Sequence, residues 1–293
     1  MMRGMFSAIS GLKVNQTMLD VTANDLANVN TVGYKSARTT FQDSLAQLQR
    51  GAAAPGPGTG GSNAVQVGLG VQLGSIDNLM TQGAPQTTGA PLDVYIQGTG
   101  WFRVGSGTPD PADPTTNIPA QLLWTRAGNF TTNADGYLIT ADGHYVIGRE
   151  VLAGPPPSPG PNDSYIRIPP GSTDPAIAQD GAVSYVDRDP LSPTYGRRVI
   201  AGYLALGRFA NEAGLQRVGG SFWMESAASG PAMVETPGVN GTGVTLGGML
   251  EMSNVDLATQ FTTMITAQRG FQANSRVIST SDEMLQDLVN LKR

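Results

Sequence analysis

The sequence contains no cysteine and a single histidine, and Lys, Arg, Asp and Glu make up only 14% of its 293 residues. Without cysteine there is no disulfide, no thiolate metal ligand and no cysteine nucleophile, although the redox compartment stays open. One histidine cannot assemble the usual zinc ligand sets. No segment approaches the roughly eighteen apolar residues of a membrane span, so no membrane insertion is expected. The opening MMRGMFSAISGLKVNQ lacks an apolar run long enough for a signal-peptide core, and any export is expected to use another route. The net charge is −5 and no basic cluster stands out, which argues against nucleic acid as a partner.

What the chain does contain is glycine (38) and proline (20), about a fifth of the total, beside a 40% hydrophobic fraction. That fraction excludes a disordered chain, and the turn-forming residues predict many short extended segments. The length allows two domains or one large one.

Both ends read as long helices. Residues 3–28 place Met5, Ile9, Leu12, Gln16, Leu19, Ala23 and Leu26 in steps of four and three. Residues 253–293 repeat the rhythm at Leu257, Phe261, Met264, Gln268, Phe271, Ser275 and Ile278, and contain no proline. Such stripes predict packing against another long helix, in a coiled-coil-like pair or with copies in other subunits. Leu285 and Leu288 extend the second helix, and Ser253 with Asp256 is expected to form a capping box for its start. Asn28 to Gly33 reads as a turn.

Residues 34–48 are expected to continue as a short helix with Phe41, Leu45 and Leu48 on one face. Residues 51–62 (GAAAPGPGTGGS) read as a flexible loop, and Val65 to Ile76 as a strand interrupted by glycine. From Leu92 onward short strand patterns alternate with turns, including the hairpin signals Asp135-Gly136 and Asp142-Gly143. The run 155–161 (PPPSPGP) is expected to be an exposed, stiff connection. The predicted fold class is therefore α+β: paired terminal helices, an extended connector and one inserted all-β domain. The expected boundaries are 1–48 for the N-terminal helical region, 49–91 for the connector, 92–225 for the β-domain, 226–252 for a returning connector and 253–293 for the C-terminal helix.

Candidate chemistry is thin. His144 lies beside a turn, Asp135 and Asp142 are explained by the glycines after them, and Gly98-Thr99-Gly100 lacks the rest of a dinucleotide fingerprint. Trp101, Trp124 and Trp223 suit a β-core better than a ligand platform. No catalytic residue, metal site or cofactor is expected, and the chain does not read as an enzyme.

Ordered motifs along nearly the whole chain carry a resemblance. Ser10-Gly11-Leu12 and the run from Ala23 through Asn24, Asp25, Leu26, Ala27, Asn28, Val29, Asn30, Thr31, Val32, Gly33 and Tyr34 to Lys35 resemble the signature of bacterial flagellar rod and hook proteins. Leu250-Glu251-Met252-Ser253-Asn254-Val255-Asp256-Leu257 and the run from Met264 through Arg269, Gly270 and Asn274 to Arg276 resemble that family's terminal helix. Pro91-Leu92-Asp93, Gly98 to Phe102, Thr125 to Phe130, and Gly136-Tyr137-Leu138 match between them. Asp25 departs from the second asparagine common in the family, a change expected to alter one local hydrogen bond.

The resemblance implies a structural subunit that polymerises with itself, its helices forming an inner layer around a channel and its β-domain an outer one. It further implies flagellar rod and hook–filament junction proteins, the hook cap and the type III export apparatus as partners, and a place in the hook or basal body after signal-independent export. The wording of Asp256 to Ile265 and of the ending Asp282 to Arg293 looks closest to a short hook protein of the Gram-positive type, with the distal rod as the alternative. A carbohydrate- or peptide-binding β-protein that merely oligomerises is the competing class. The residues expected to carry helix pairing and assembly are Ile9, Leu12, Leu19, Asn24, Leu26, Asn28, Asn30, Gly33 and Tyr34 from the first end. Asn254, Leu257, Phe261, Met264, Gln268, Phe271, Asn274, Ile278, Leu285 and Leu288 come from the second.

Overall fold

The computed structural model describes residues 2–56, 60–110, 115–119, 121–152, 154, 157–190 and 192–290. The chain divides into two compact units, one made of residues 1–28, 36–79 and 255–293, the other of residues 29–35 and 80–254.

The first unit carries the helices α1 (Met2–Ala27) and α2 (Leu257–Asn290). At 1.5 Å per residue α2 spans roughly 50 Å. At its N-terminus the Asp256 carboxylate accepts the Ala258 N–H at 3.0 Å and the Thr259 hydroxyl at 2.6 Å. Asp256 of the expected Ser253–Asp256 pair thus caps the helix from one position before its start. Between the helices, β1 (Ala37–Asp43) and β2 (Ala46–Arg50) pair antiparallel with β4 (Val71–Asn78) and β3 (Val65–Gly68) respectively. The helix expected over 34–48 does not form. Thr39, Thr40 and Phe41 favour the pleated conformation, and Gly74 leaves room for Thr40 where a bulge shifts the register. Phe41, Leu45 and Leu48 are exposed rather than gathered on a helical face. The glycine interruption expected in the strand pattern 65–76 falls at Gly70, with φ +119°, between β3 and β4.

The second unit is antiparallel β-structure. Its strands begin with β5 (Pro85–Thr87), β6 (Val94–Gln97), β7 (Trp101–Gly105), β8 (Leu123–Thr125), β9 (Phe130–Thr132), β10 (Leu138–Thr140) and β11 (Tyr145–Leu152). They continue with β12 (Ser158–Tyr165), β13 (Thr173–Ile177), β14 (Ala182–Val186), β15 (Arg198–Leu204) and β16 (Leu206–Arg208). The series ends with β17 (Gln216–Gly219), β18 (Phe222–Met224), β19 (Met233–Glu235), β20 (Val244–Gly247) and β21 (Met249–Glu251). The main sheet runs β13-β14-β15-β11-β7-β8-β18-β17, and two small ladders pair β20 with β6 and β21 with β5. Gly136 and Gly143 both sit at positive φ (+85° and +84°), the conformation that the two Asp-Gly turns demand.

The stiff connection expected over 155–161 is a strand from Ser158 onward. Among the described residues strand β12 pairs with β11 alone, and prolines are tolerated on such an edge because their missing N–H points away from the ladder. Pro155 and Pro156 lie outside the described residues.

Fifteen buried residues, among them Val94, Phe102, Leu138, Val183 and Leu204, form the larger core. The three tryptophans form a second core with Phe209 and Leu215, and Trp101 meets Trp223 edge-on at 5.6 Å. All three are at most 2% exposed, which leaves the ligand-binding alternative without its aromatic platform. His144 packs edge-on against Phe222 at 4.8 Å, with Nδ1 2.8 Å from the Ser106 hydroxyl.

Candidate assembly surfaces

In the first unit α1 and α2 pack antiparallel. Gly11 faces Asn274, Asn15 faces Gly270 and Asp25 faces Gln260, so four residues forward on one helix match four back on the other. The seam is not the leucine stripe that the periodicity selected. On α1 it is buried at Ala8, Gly11, Val14, Thr22 and Asp25, and on α2 at Ala267 and Ser281. On α1 Ala8, Gly11 and Asp25 lie one residue before the expected Ile9, Leu12 and Leu26. Small side chains let the helix backbones approach closely. A Cβ on Gly11 would lie 2.6 Å from Asn274 Nδ2, and one on Gly270 would lie 2.9 Å from Asn15 Oδ1. Asn15 is itself held by a 2.8 Å bond from Nδ2 to the Gly11 carbonyl.

The larger apolar residues are left outside or at the margins. Leu12, Leu19, Leu26, Met264, Ile278 and Leu285 are half-buried, as is Asn274. Ile9, Leu257, Phe261 and Phe271 are exposed, Phe261 at 49%, and Gln268 is exposed too. The Leu288 side chain lies outside the described residues. Phe6, Ile265 and Val277 on the helices, and Leu45, Leu48 and Ile76 on the strand pairs, add to the exposed apolar surface. This unit buries small and polar groups and presents large apolar ones, the reverse of a self-sufficient globular domain.

Asn24 and Asn28 close α1: the Asn28 amide side chain and backbone N–H both reach the Asn24 carbonyl, at 2.9 and 3.2 Å. Asn30 is exposed in the turn that follows. Asp25 is fully buried, and its two carboxylate oxygens accept the Ala37 N–H at 3.2 and 3.1 Å. The departure from the family pattern therefore terminates α1 onto the first strand.

In the second unit the motif residues converge on a buried charge cluster that periodicity gave no reason to expect. Glu251, 1% exposed, accepts Lys35 Nζ at 2.6 Å and the Gly83 N–H at 2.9 Å on one oxygen, and Arg126 Nη1 at 3.2 Å on the other. Arg126 also donates to the Gly98 carbonyl at 3.0 Å and lies 5.4 Å over the Trp101 ring. Burial lowers the Lys35 pKa; Glu251 opposes that shift and Arg126 adds to it. Gly33 has φ +68°, and a Cβ there would meet the Ala127 N at 2.6 Å, so only glycine fits. Tyr34 is buried beneath Arg217, whose guanidinium sits 4.8 Å over its ring. Asn254 donates to Thr81 Oγ1 at 2.9 Å. The signal for this cluster was present: Lys35, Glu251, Arg126 and Trp101 each belong to one of the motifs that carry the resemblance.

Three family models match along the chain. One described as flagella basal body rod protein covers residues 5–35, and one described as flagellar hook protein FlgE/F/G D1 domain covers 95–185. The third, described as flagellar basal body rod FlgEFG protein C-terminal, covers 246–291. The chain is also 44% identical over 294 aligned positions to the flagellar basal-body rod protein FlgG of Bacillus subtilis, with both chains covered in full. The chain belongs to the flagellar rod and hook protein family. It is a structural protein of the flagellar axis. A second FlgG relative, from Caulobacter vibrioides, is 37% identical with 99% of this chain and all of that protein covered. Similarity to the flagellar hook protein FlgE of Borreliella burgdorferi is 26%, in an alignment stretched to 453 positions. Among the described residues no helix is long and apolar enough to cross a membrane, and no group of three metal-ligating side chains occurs.

Proposed function

We propose that this chain is a distal rod subunit, which polymerises with itself into the tube that carries the hook, and that it performs no catalysis. The observation that carries this reading is full-length 44% identity to a basal-body rod protein, against 26% to a hook protein whose alignment runs 160 positions beyond the 293-residue chain. The hook reading suggested by Asp256 to Ile265 and Asp282 to Arg293 is therefore set aside: local runs of residues weigh less than agreement in length and identity along the whole chain. The two terminal helices build the inner layer, and the exposed Leu257, Phe261, Ile265 and Phe271 are contacts to neighbouring copies. An open, head-to-tail assembly covers such surface without closing a ring. The β-unit forms the outer layer, and delivery is through the flagellar type III apparatus.

The test is location. An epitope-tagged subunit in purified hook–basal bodies should label the distal segment of the rod below the hook. Label along the curved hook would overturn the proposal in favour of the hook reading.

A further inference from the structure

The chain passes between its two units at residues 28/29, 35/36, 79/80 and 254/255. Within the β-unit the segments adjoining those crossings are 29–35, 80–84 and 251–254, and Glu251 touches each of the other two. Its backbone carbonyl accepts the Gly33 N–H at 2.8 Å, and its carboxylate takes the Lys35 ammonium and the Gly83 N–H. The surrounding bonds follow the same pattern. Met252 N–H reaches the Ala84 carbonyl at 3.0 Å, Asn254 N–H the Tyr34 carbonyl at 3.4 Å, and Lys35 Nζ the Thr81 carbonyl at 2.9 Å. Gly83 has no room for a side chain, since a Cβ would lie 1.9 Å from the Met252 carbonyl oxygen. Arg126, from the body of the β-unit, anchors the other carboxylate oxygen.

We infer that Glu251 is the positioning residue that clamps the three entry and exit segments of the β-unit into one fixed bundle. Its role is to set where the chain leaves that unit, and none of the fifteen residues of the larger core belongs to the cluster. The inference rests on family membership but not on the choice between rod and hook.

The charges make the proposal asymmetric. The groups that act on Lys35 are Glu251, Arg126 and, at longer range, Glu212; Arg217 donates to its carbonyl, and Tyr95 feels the same Glu251 and Arg126. One carboxylate thus serves two cations. Glu251→Gln strands both cations in a buried site, whereas Lys35→Met leaves a neutral Glu251–Arg126 pair.

Hydrogen exchange on the full-length chain tests this at the Gly33, Gly83, Met252 and Asn254 amides, with Val104 and Leu204 as core references. E251Q should speed exchange in the bundle by roughly tenfold or more, K35M should do so by much less, and K35M/E251Q should exchange more slowly than E251Q alone. Core amides should not change. A purely structural contribution would move core and bundle together. That result, K35M as damaging as E251Q, or a double variant worse than E251Q would each overturn the clamp. If E251Q does not fold, folding of K35M/E251Q is the same rescue, and its failure beside a folded K35M overturns the inference. None of these measurements needs a polymer, so they stand apart from the rod assignment.

Discussion

The side chain of Asn274 occupies the space that a Cβ on Gly11 would need, and Asn15 does the same to Gly270 on the opposite helix. Each helix thus supplies one glycine and one asparagine four residues apart, and the two pairs interlock antiparallel. A one-turn slip would set asparagine against asparagine in one direction and glycine against glycine in the other, so either slip loses the interlock.

Glycine in a helix interior costs about 1 kcal/mol relative to alanine, so alanine is the informative replacement. At Gly4 nothing lies within 4 Å, and Gly4→Ala should leave the helix pair unchanged or stabilise it by up to about 1 kcal/mol. A Cβ at Gly270 would crowd the amide end of Asn15, which donates to the Gly11 carbonyl, so Gly270→Ala should lower the helical melting transition followed by circular dichroism. Adding Asn15→Ala should restore part of the loss. If Gly270→Ala stabilises as Gly4→Ala does, the interlock has no energetic weight.

The Asp256 cap sets a pH dependence. Its bonds from the Thr259 hydroxyl and the Ala258 N–H hold the carboxyl pKa below the usual value. The folded pKa is the depressed one, so the stabilisation is fully present above the unfolded carboxylate pKa. It is lost as pH falls through the lowered folded value. The first turn of α2 should fray across that acidic window, seen as faster exchange at Ala258, while Asp256→Asn should flatten the response.

How much of this was legible in the sequence depended on what each residue type announces. Asp135-Gly136 and Asp142-Gly143 announced their turns because a positive φ leaves few alternatives to glycine. The two helices were legible from proline-free periodic runs, but their seam was not. Periodicity selects the largest apolar residues as the core, and here Leu257 and Phe261 face outward while Gly11, Ala267 and Gly270 pack. The stretch 34–48 misled for a related reason: Phe41, Leu45 and Leu48 fit helical spacing, yet their partners in β3 and β4 lie too far along the chain for local spacing to reveal. The Lys35–Glu251–Arg126 cluster joins residues up to 216 positions apart, and only the family motifs hinted that these residues belonged together.

The tryptophan cluster should behave as core. Trp223, 2% exposed against Trp101 and beneath Arg217, loses these contacts in Trp223→Ala, at a cost of about 3–5 kcal/mol in the β-unit. Thermal unfolding followed by tryptophan fluorescence measures it. A variant as stable as the parent would show that Trp223 adds nothing to the stability of the β-unit.

Two aspartate substitutions on one helix separate pairing from polymerisation. Ala267 is 1% exposed in the α1–α2 seam, so Ala267→Asp places an unpaired carboxylate where burial costs several kcal/mol. The helix pair should open, with loss of helical signal in the isolated chain. Phe261 is 49% exposed on the same helix, so Phe261→Asp should leave pairing and helical signal intact. The same change puts a charge into apolar surface that a neighbouring copy is proposed to cover, and polymerisation should fail. Sedimentation and electron microscopy of concentrated protein read the polymer, while circular dichroism reads the pair. Normal tubes from Phe261→Asp would exclude its outward face from the subunit contact, and loss of helix in that variant would place Phe261 back in the seam.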